Sequence, residues 1–272
     1  MQTRRNFLES GAKGMVAAGL CLPPLCAQDW ARQAVDRSPR RREWVAVKHD
    51  SRQVKSIVAY PQQAEKAPAI VVIHEIFGMT DWVESVTDEF AAAGFLAVAP
   101  DLLSGAAPNG GGTSDLKPDQ VRSAIGSLPP DQITADLNAV ADYCKGLPAG
   151  NGKVCVVGFS WGGGQAFRFA TNRKDLSAAF VFYGPGPDAA AIPNIQAPVY
   201  GFYAGNDQRI NAGIPATQEQ MKAAGKFFDP VIYEGAAHGF MRAGAQPDAT
   251  EANAKARAAS WARLKEIRSK LA

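Results

Sequence analysis

The chain has 272 residues, of which 46% are hydrophobic and 20% are charged, and its formal net charge is +3. This length can bury a substantial core, and the composition is that of an ordinary globular protein rather than a disordered or fibrous one. No extended basic face accompanies the small net charge, so nucleic acid is not an expected partner.

Residues 1–28 are interpreted as an export signal. The run TRRNFL at residues 3–8 resembles the twin-arginine motif, and an apolar stretch follows at residues 14–25. Because that stretch is too short to span a bilayer, we expect a periplasmic protein without a membrane span. The alternative is an amphipathic N-terminal helix of a cytoplasmic protein.

Residues 29–43 are polar and end in a run of arginines, which predicts a flexible, solvated arm. No linker or repeat interrupts the remainder, so residues 44–272 are predicted to form one domain. Four cysteines are too few for a disulfide framework in a chain this long. Cys155 is expected to be a small buried hydrophobe, and a bond between it and Cys144 stays open.

Strand and helix patterns alternate along the predicted domain. Strands are predicted at residues 44–47, 56–60, 69–73, 95–99, 154–157, 178–183, 199–203 and 230–233, and helices at 81–93, 131–145, 218–224 and 249–271. This alternation predicts an α/β fold with a mainly parallel sheet and helices on both faces. Residues 105–118 are rich in glycine and proline and are expected to form a long exposed loop bordering the site.

Residues 153–164 read KVCVVGFSWGGG, a β-branched run followed at once by Gly-x-Ser-x-Gly and then by a helical pattern. Strand, pentapeptide and helix in this order are typical of a nucleophile elbow, which makes Ser160 the candidate nucleophile. Glycines beside the serine let strand and helix approach closely. The alternative is an ordinary glycine-rich turn.

A serine hydroxyl needs a base to take its proton, and the chain has three histidines. His49 lies in a predicted hairpin and is expected to be an exposed turn residue, and His74 ends a buried strand and is expected to be structural. His238 follows the last predicted strand, which makes it the candidate base.

The third member of such a triad is a carboxylate that orients the histidine. Asp207 follows the predicted strand 199–203 in a glycine-containing turn and is the candidate; its alternative role is to cap that turn. Asp175 and Asp188 lie in less suitable places. The chain order serine, aspartate, histidine is that of α/β-hydrolases.

An oxyanion hole needs two backbone N–H donors. Trp161 supplies one, directly after the nucleophile. The other is expected from the loop after the first buried strand, HEIFG at residues 74–78, and Ile76 is the candidate.

Together these residues resemble the dienelactone hydrolase family of α/β-hydrolases. The resemblance covers residues 44–271 and rests on HEIFG at 74–78, PDL at 100–102, the stretch from GKV to GFSWGG at 152–163, Asp207 and AHGF at 237–240. The best-known members hydrolyse the lactone ring of 4-carboxymethylenebut-2-en-4-olide with a cysteine nucleophile and no metal or cofactor.

This chain departs from the family pattern in two places. The nucleophile is a serine, so Glu75, whose family counterpart handles the thiol proton, is expected to hydrogen-bond Ser160 or to shape its loop. Of the two arginines that grip the substrate carboxylate in the family, one is matched by Arg242, whereas the position after Asp101-Leu102 holds no arginine.

The sequence therefore predicts a periplasmic, monomeric serine hydrolase of the carboxymethylenebutenolidase type that cleaves a small carboxylic ester or lactone without metal or cofactor. The alternatives are a non-catalytic binding protein with the same fold and an acyltransferase on the same scaffold.

Overall fold

A single sheet of eight strands organises the protein in a computed structural model, which describes residues 28–271. The strands are β1 (Arg42–His49), β2 (Arg52–Ala59), β3 (Ala67–Ile73), β4 (Leu96–Pro100), β5 (Gly150–Phe159), β6 (Ala178–Phe182), β7 (Val199–Ala204) and β8 (Phe228–Tyr233). Their order across the sheet is β1-β2-β4-β3-β5-β6-β7-β8. Strand β2 pairs antiparallel with both neighbours, and all other pairs are parallel.

The α-helices, which precede, connect and follow these strands, are α1 (Asp29–Arg37), α2 (Asp81–Ala92), α3 (Pro118–Gly126), α4 (Pro130–Gly146), α5 (Trp161–Asn172), α6 (Gln208–Asn211), α7 (Ile214–Ala223), α8 (Phe240–Ala243) and α9 (Glu251–Ser269). Among the residues that the structure describes, none of these helices is long and apolar enough to cross a bilayer.

Strand β3 shows how the sheet is buried on both faces, since all of its residues are inaccessible to solvent. Side chains alternate along a strand. Val71 and Ile73 therefore join one core with α4 and α5, whereas Ile70 and Val72 join a second core with α2 and α9. The predicted α/β fold, a mainly parallel sheet between two layers of helices, is confirmed.

The segment predicted as a flexible arm, residues 29–43, is instead the helix α1 followed by the start of β1. Helix α1 buries Ala31 and Val35. It also contacts α2 through Arg32, whose guanidinium lies 2.5 Å from the Asp81 carboxylate. The prediction of an arm was wrong because these partners lie far away along the chain. The predicted export signal, residues 1–28, falls outside the described residues except for its last residue.

The arginine run continues this attachment. The buried carboxylate of Asp88 accepts hydrogen bonds from Arg40 at 2.6 Å, from Arg42 at 3.0 Å and from the Ser38 hydroxyl at 2.9 Å. Only the middle arginine of the run, Arg41, is strongly exposed at its side chain, at 68%. The run is thus mainly a set of anchors for the N-terminal segment rather than a solvated flank.

Both described cysteines are buried and unpaired. Burial raises the pKa of the Cys144 thiol and of the Cys155 thiol to about 12. The open question of a bond between them is answered: there is none, and both are packing residues.

The parallel strands all end at one edge of the sheet, and the loops that follow them meet there. The HEIFG loop follows β3, Ser160 follows β5, Asp207 follows β7 and His238 lies between β8 and α8. The topology therefore brings together the residues that the sequence singled out.

Candidate active site

Ser160 lies at the sharp turn between β5 and α5 in a strained backbone conformation, with φ 56° and ψ −115°. A positive φ is costly for a residue with a side chain and is maintained only where the surroundings enforce it. Its N–H donates to the Phe182 carbonyl at 3.0 Å, which fixes the turn against β6. A Cβ atom on Gly158 would overlap the Gly162 backbone, and one on Gly162 would overlap the His74 carbonyl, so both glycines are needed for this turn.

His238 connects the serine to a carboxylate. Its Nε2 lies 2.8 Å from Ser160 Oγ, and its Nδ1 lies 2.5 Å from Asp207 Oδ2. A carboxylate oxygen only accepts, so the geometry assigns the imidazole proton to Nδ1 and leaves Nε2 free to accept from the serine hydroxyl.

Asp207 is 7% exposed, and its contacts fit both of the roles considered for it, partner of the histidine and cap of the turn. While Oδ2 faces His238, Oδ1 accepts from the Ile210 N–H at 3.4 Å and caps the short helix α6. The cap and the adjacent end of β7 hold the carboxylate in place beside the imidazole. Asp175 and Asp188 lie elsewhere, Asp175 in an ion pair with Arg173 and Asp188 as the cap of a 3₁₀ turn.

The two predicted oxyanion donors line the same cavity as Ser160. Trp161 is the first residue of α5, where backbone N–H groups have no partner within the helix and can bind negative charge. Within the described part of the chain, the Ile76 N–H donates to no protein acceptor. Both donors are therefore available to a ligand.

The cavity has a volume of about 480 Å³. The predicted residues that line it are Ser160, His238, Trp161, Ile76, Glu75 and Arg242, and the others are Phe77, Tyr183, Pro185, Arg209 and Ile210. Its wall is largely apolar, with Arg209, Arg242 and Glu75 as its charged groups besides the histidine. A cavity of about 490 Å³ beside β8 and α9 contains no such nucleophile and base.

The sequence matches the model of the dienelactone hydrolase family over residues 54–270. The chain belongs to this family. The predicted resemblance and the prediction of a carboxylic ester hydrolase are thereby confirmed at the level of the family.

Relatives and solved structures agree with this membership. The carboxymethylenebutenolidase of Pseudomonas putida is 29% identical over 204 residues, which cover 71% of this chain and 83% of that protein. The "Putative carboxymethylenebutenolidase" of Methylorubrum extorquens is 32% identical over 196 residues, covering 67% of this chain and 66% of that protein. A crystal structure titled "Putative Dienelactone Hydrolase" from Klebsiella pneumoniae has a TM-score of 0.73 at 22% identity and covers 85% of this chain and 99% of that one. The structural likeness confirms the α/β-hydrolase fold.

The family's glutamate position is filled by Glu75, which is 3% exposed and contacts Arg242 instead of Ser160. Glu75 Oε2 lies 2.9 Å from Arg242 Nε. Burial raises the pKa of the Glu75 carboxyl, and the nearby charges of Arg242 and His238 only partly oppose this. Of the two expectations for Glu75, the structure shows an ion pair that shapes the loop, and Arg242 already has an anionic partner.

His74 is structural, as predicted: its Nδ1 lies 2.8 Å from the Glu75 carbonyl, and its ring stacks on Trp161 at 5.5 Å. His49 differs from the expected exposed turn residue. It ends β1, its side chain is 15% exposed, and its Nε2 lies 2.6 Å from the buried carboxylate of Asp136 in α4. The hairpin pattern could not reveal this partner, which is distant in sequence.

Tyr183 is a residue of the site that sequence reasoning missed. It follows β6 with a positive φ of 39°, and its ring lies 5.1 Å from the His238 ring in an edge-on arrangement. Burial, reinforced by the Glu75 charge, raises the pKa of its hydroxyl well above the ordinary value. Its position at the end of a strand beside the nucleophile strand was the available signal.

Proposed function

We propose that this protein is an exported serine hydrolase that cleaves a carboxylic ester or lactone through an acyl-enzyme. The observation that carries the proposal is the hydrogen-bonded series from Ser160 to His238 to Asp207 at the wall of a cavity. The names of the two carboxymethylenebutenolidase relatives support the ester or lactone class.

Acylation begins when Ser160 Oγ attacks the substrate carbonyl carbon. His238 Nε2 takes the hydroxyl proton as the C–O bond forms. The imidazolium is stabilised by the Asp207 carboxylate, and the N–H groups of Trp161 and Ile76 receive the oxyanion. Collapse of this intermediate expels the alkoxide, which takes the proton from His238.

Deacylation repeats the sequence with water as nucleophile. His238 Nε2 accepts a proton from the water as it attacks the acyl carbon, and then returns it to Ser160 Oγ. In a lactone the expelled alkoxide stays attached to the acyl group, so a single hydroxy acid is released. Every proton in this scheme moves through one nitrogen atom.

The test is labelling of the purified protein with a fluorophosphonate probe, followed by assays on p-nitrophenyl esters and lactones. Wild-type protein should be labelled and should hydrolyse at least one ester. Ser160→Ala should abolish labelling and lower turnover by roughly 10³-fold or more, since removal of one triad member disables the unit. The matched control is Ser127→Ala, because Ser127 is an exposed serine in a helix cap.

Two outcomes would overturn the proposal. Unchanged esterase activity in Ser160→Ala would place the nucleophile elsewhere. A folded wild-type protein with neither labelling nor turnover on any ester or lactone would favour a binding protein that keeps only the scaffold.

The export part of the proposal rests on residues 1–28 and has its own test. Changing Arg4 and Arg5 to lysine should leave the full-length protein in the cytoplasmic fraction, whereas the wild type should be shortened and periplasmic. Equal distribution of both proteins would contradict the twin-arginine route. Labelling by the fluorophosphonate probe reports the activity separately from location.

A further inference from the structure

The segment predicted as a long exposed loop, residues 105–118, is attached to the sheet by one buried threonine. Thr113 is 5% exposed. Its backbone N–H donates to Asp101 Oδ2 at 2.8 Å, and its hydroxyl donates to Asp101 Oδ1 at 2.7 Å. Asp101 directly follows β4 and is itself 4% exposed. The loop is therefore anchored to the edge of the sheet where the site lies.

The same hydroxyl also contacts the loop that carries the second oxyanion donor. Thr113 Oγ1 accepts a hydrogen bond from the Met79 N–H at 3.1 Å. One residue earlier, Gly78 has a φ of 70°, and a Cβ atom there would overlap the Thr113 side chain. The Gly78 N–H in turn donates to the Glu75 carbonyl at 3.1 Å, which closes a tight turn around Ile76. Thr113 thus supports the C-terminal end of this turn.

We propose that Thr113 is a positioning residue for the oxyanion hole. This inference rests on the proposed function, because it assigns to Thr113 the placement of the Ile76 N–H relative to Ser160. An oxyanion donor is effective only when it lies about 2.7–3.1 Å from the developing charge. The Thr113 hydroxyl fixes the turn by donating to a carboxylate and accepting from a backbone amide at once.

Loss of the hydroxyl leaves the N–H of the partly buried Met79 without its acceptor in the protein, which costs free energy unless the turn moves. A movement of even 1 Å at a reacting group can reduce a rate by as much as about 100-fold. This movement should destabilise the transition state more than the bound substrate, because the ground-state carbonyl depends less on the Ile76 N–H. A residue that only stabilised the loop would instead lower stability and leave the rate of the folded enzyme unchanged.

The experiment compares three variants of the full chain by kcat, KM and the inhibition constant of a boronic acid, which forms a tetrahedral adduct with the serine. Thr113→Val removes the hydroxyl at nearly constant volume, and Thr113→Ser keeps it. Thr87→Val is the matched control, because Thr87 is a fully buried threonine whose hydroxyl donates to the Val83 carbonyl at 2.6 Å, within helix α2.

Thr113→Val is expected to lower kcat about tenfold and to weaken boronic acid binding by a similar factor, with KM within about twofold of wild type. Thr113→Ser and Thr87→Val should both keep kcat and inhibitor binding within about twofold. Wild-type kcat and boronic acid binding in folded Thr113→Val would overturn the proposal, and so would a change confined to KM.

Hydrogen exchange on the wild-type enzyme provides a measurement that requires no variant to fold. The Met79 amide should be protected from exchange through its bond to Thr113, and exchange at the rate of an open loop would contradict the proposal. Failure of the proposed function is distinguishable, because it would appear in the wild type as absence of labelling and turnover.

Discussion

Asp207 divides its two carboxylate oxygens between a helix cap and the His238 ring. We predict that Asp207→Asn retains the cap, because an amide oxygen can still accept from Ile210, but loses the negative charge that orients and stabilises His238. Turnover should fall by roughly 10³- to 10⁴-fold with little change in urea unfolding. Wild-type turnover in this variant would show that His238 needs no carboxylate partner.

Glu75 should make stability depend on pH, because burial raises its pKa above the ordinary value of 4.5. Between 4.5 and the raised pKa, the folded state binds a proton that the unfolded state has released, so the free energy of unfolding falls as pH rises. The stabilising contribution is complete below the unfolded pKa and is lost as pH rises through the folded pKa.

The measurement is urea unfolding of the wild type and of Glu75→Gln from about pH 4 to about pH 9. The difference in free energy of unfolding, wild type minus variant, should decrease as pH rises through this window. Glu65→Gln, at an exposed glutamate, is the control and should show a constant difference. A difference that increases with pH would show that Arg242 outweighs burial at Glu75.

Some of these residues could be predicted from the sequence, and others could not. Ser160, His238 and Asp207 could be found because the elbow pattern is local and the chain order of the triad is a known one. Thr113 could not, since its contacts join residues distant in sequence, and Tyr183 was missed although it ends a predicted strand. The partner of Glu75 was also missed, because Arg242 was assigned to the substrate.

At the scale of elements, the periodicity of the strands was sufficient to predict the sheet and its two helical layers. It failed for α1, a mainly polar helix that buries Ala31 and Val35 and adds ion pairs to α2 through Arg32. Composition was misleading for residues 105–118, whose high glycine content suggested an exposed loop although Thr113 is buried. Composition reflects only the local conformational preference of a segment. Both segments also bind carboxylates that lie elsewhere in the chain.

The contacts of Asp88 with the N-terminal segment should contribute to the free energy of unfolding. Replacing Asp88 by asparagine leaves Arg40 and Arg42 without their shared carboxylate, and we predict a loss of about 3 kcal/mol in the free energy of unfolding. Turnover should stay at the wild-type value, since Asp88 and its two arginines do not line the cavity that contains Ser160. Asp36→Asn, at an exposed position of α1, should change stability by less than about 0.5 kcal/mol. Equal stability of the two variants would contradict this account.

At the scale of the whole molecule, β8 lies at one edge of the eight-stranded sheet. The N–H groups of Val199 and Gly205 in and after β7 donate to the carbonyls of Phe227 and Tyr233. Successive residues of a strand direct their backbone hydrogen-bonding groups to opposite sides, so those of Pro230 face away from β7. Because proline has no N–H, the row of donors along this edge is interrupted there.

Pro230→Val should therefore promote association, because it restores an outward donor beside Ile232, whose exposure is 52%. We predict concentration-dependent dimers or larger species in light scattering after size-exclusion chromatography. Pro108→Val, at an exposed turn, should elute like the wild type. Wild-type elution of Pro230→Val at every concentration would show that the edge is protected by other means.

The two buried thiols bear on whether the stability of the protein depends on the redox conditions of its compartment. Reactive cysteines need thiolate character and access, and Cys144 and Cys155 have neither. Within residues 28–271, no covalent cross-link has to form for the fold to be complete. The domain should therefore mature without a disulfide oxidoreductase and keep the same stability in a reducing cytoplasm as in an oxidising periplasm.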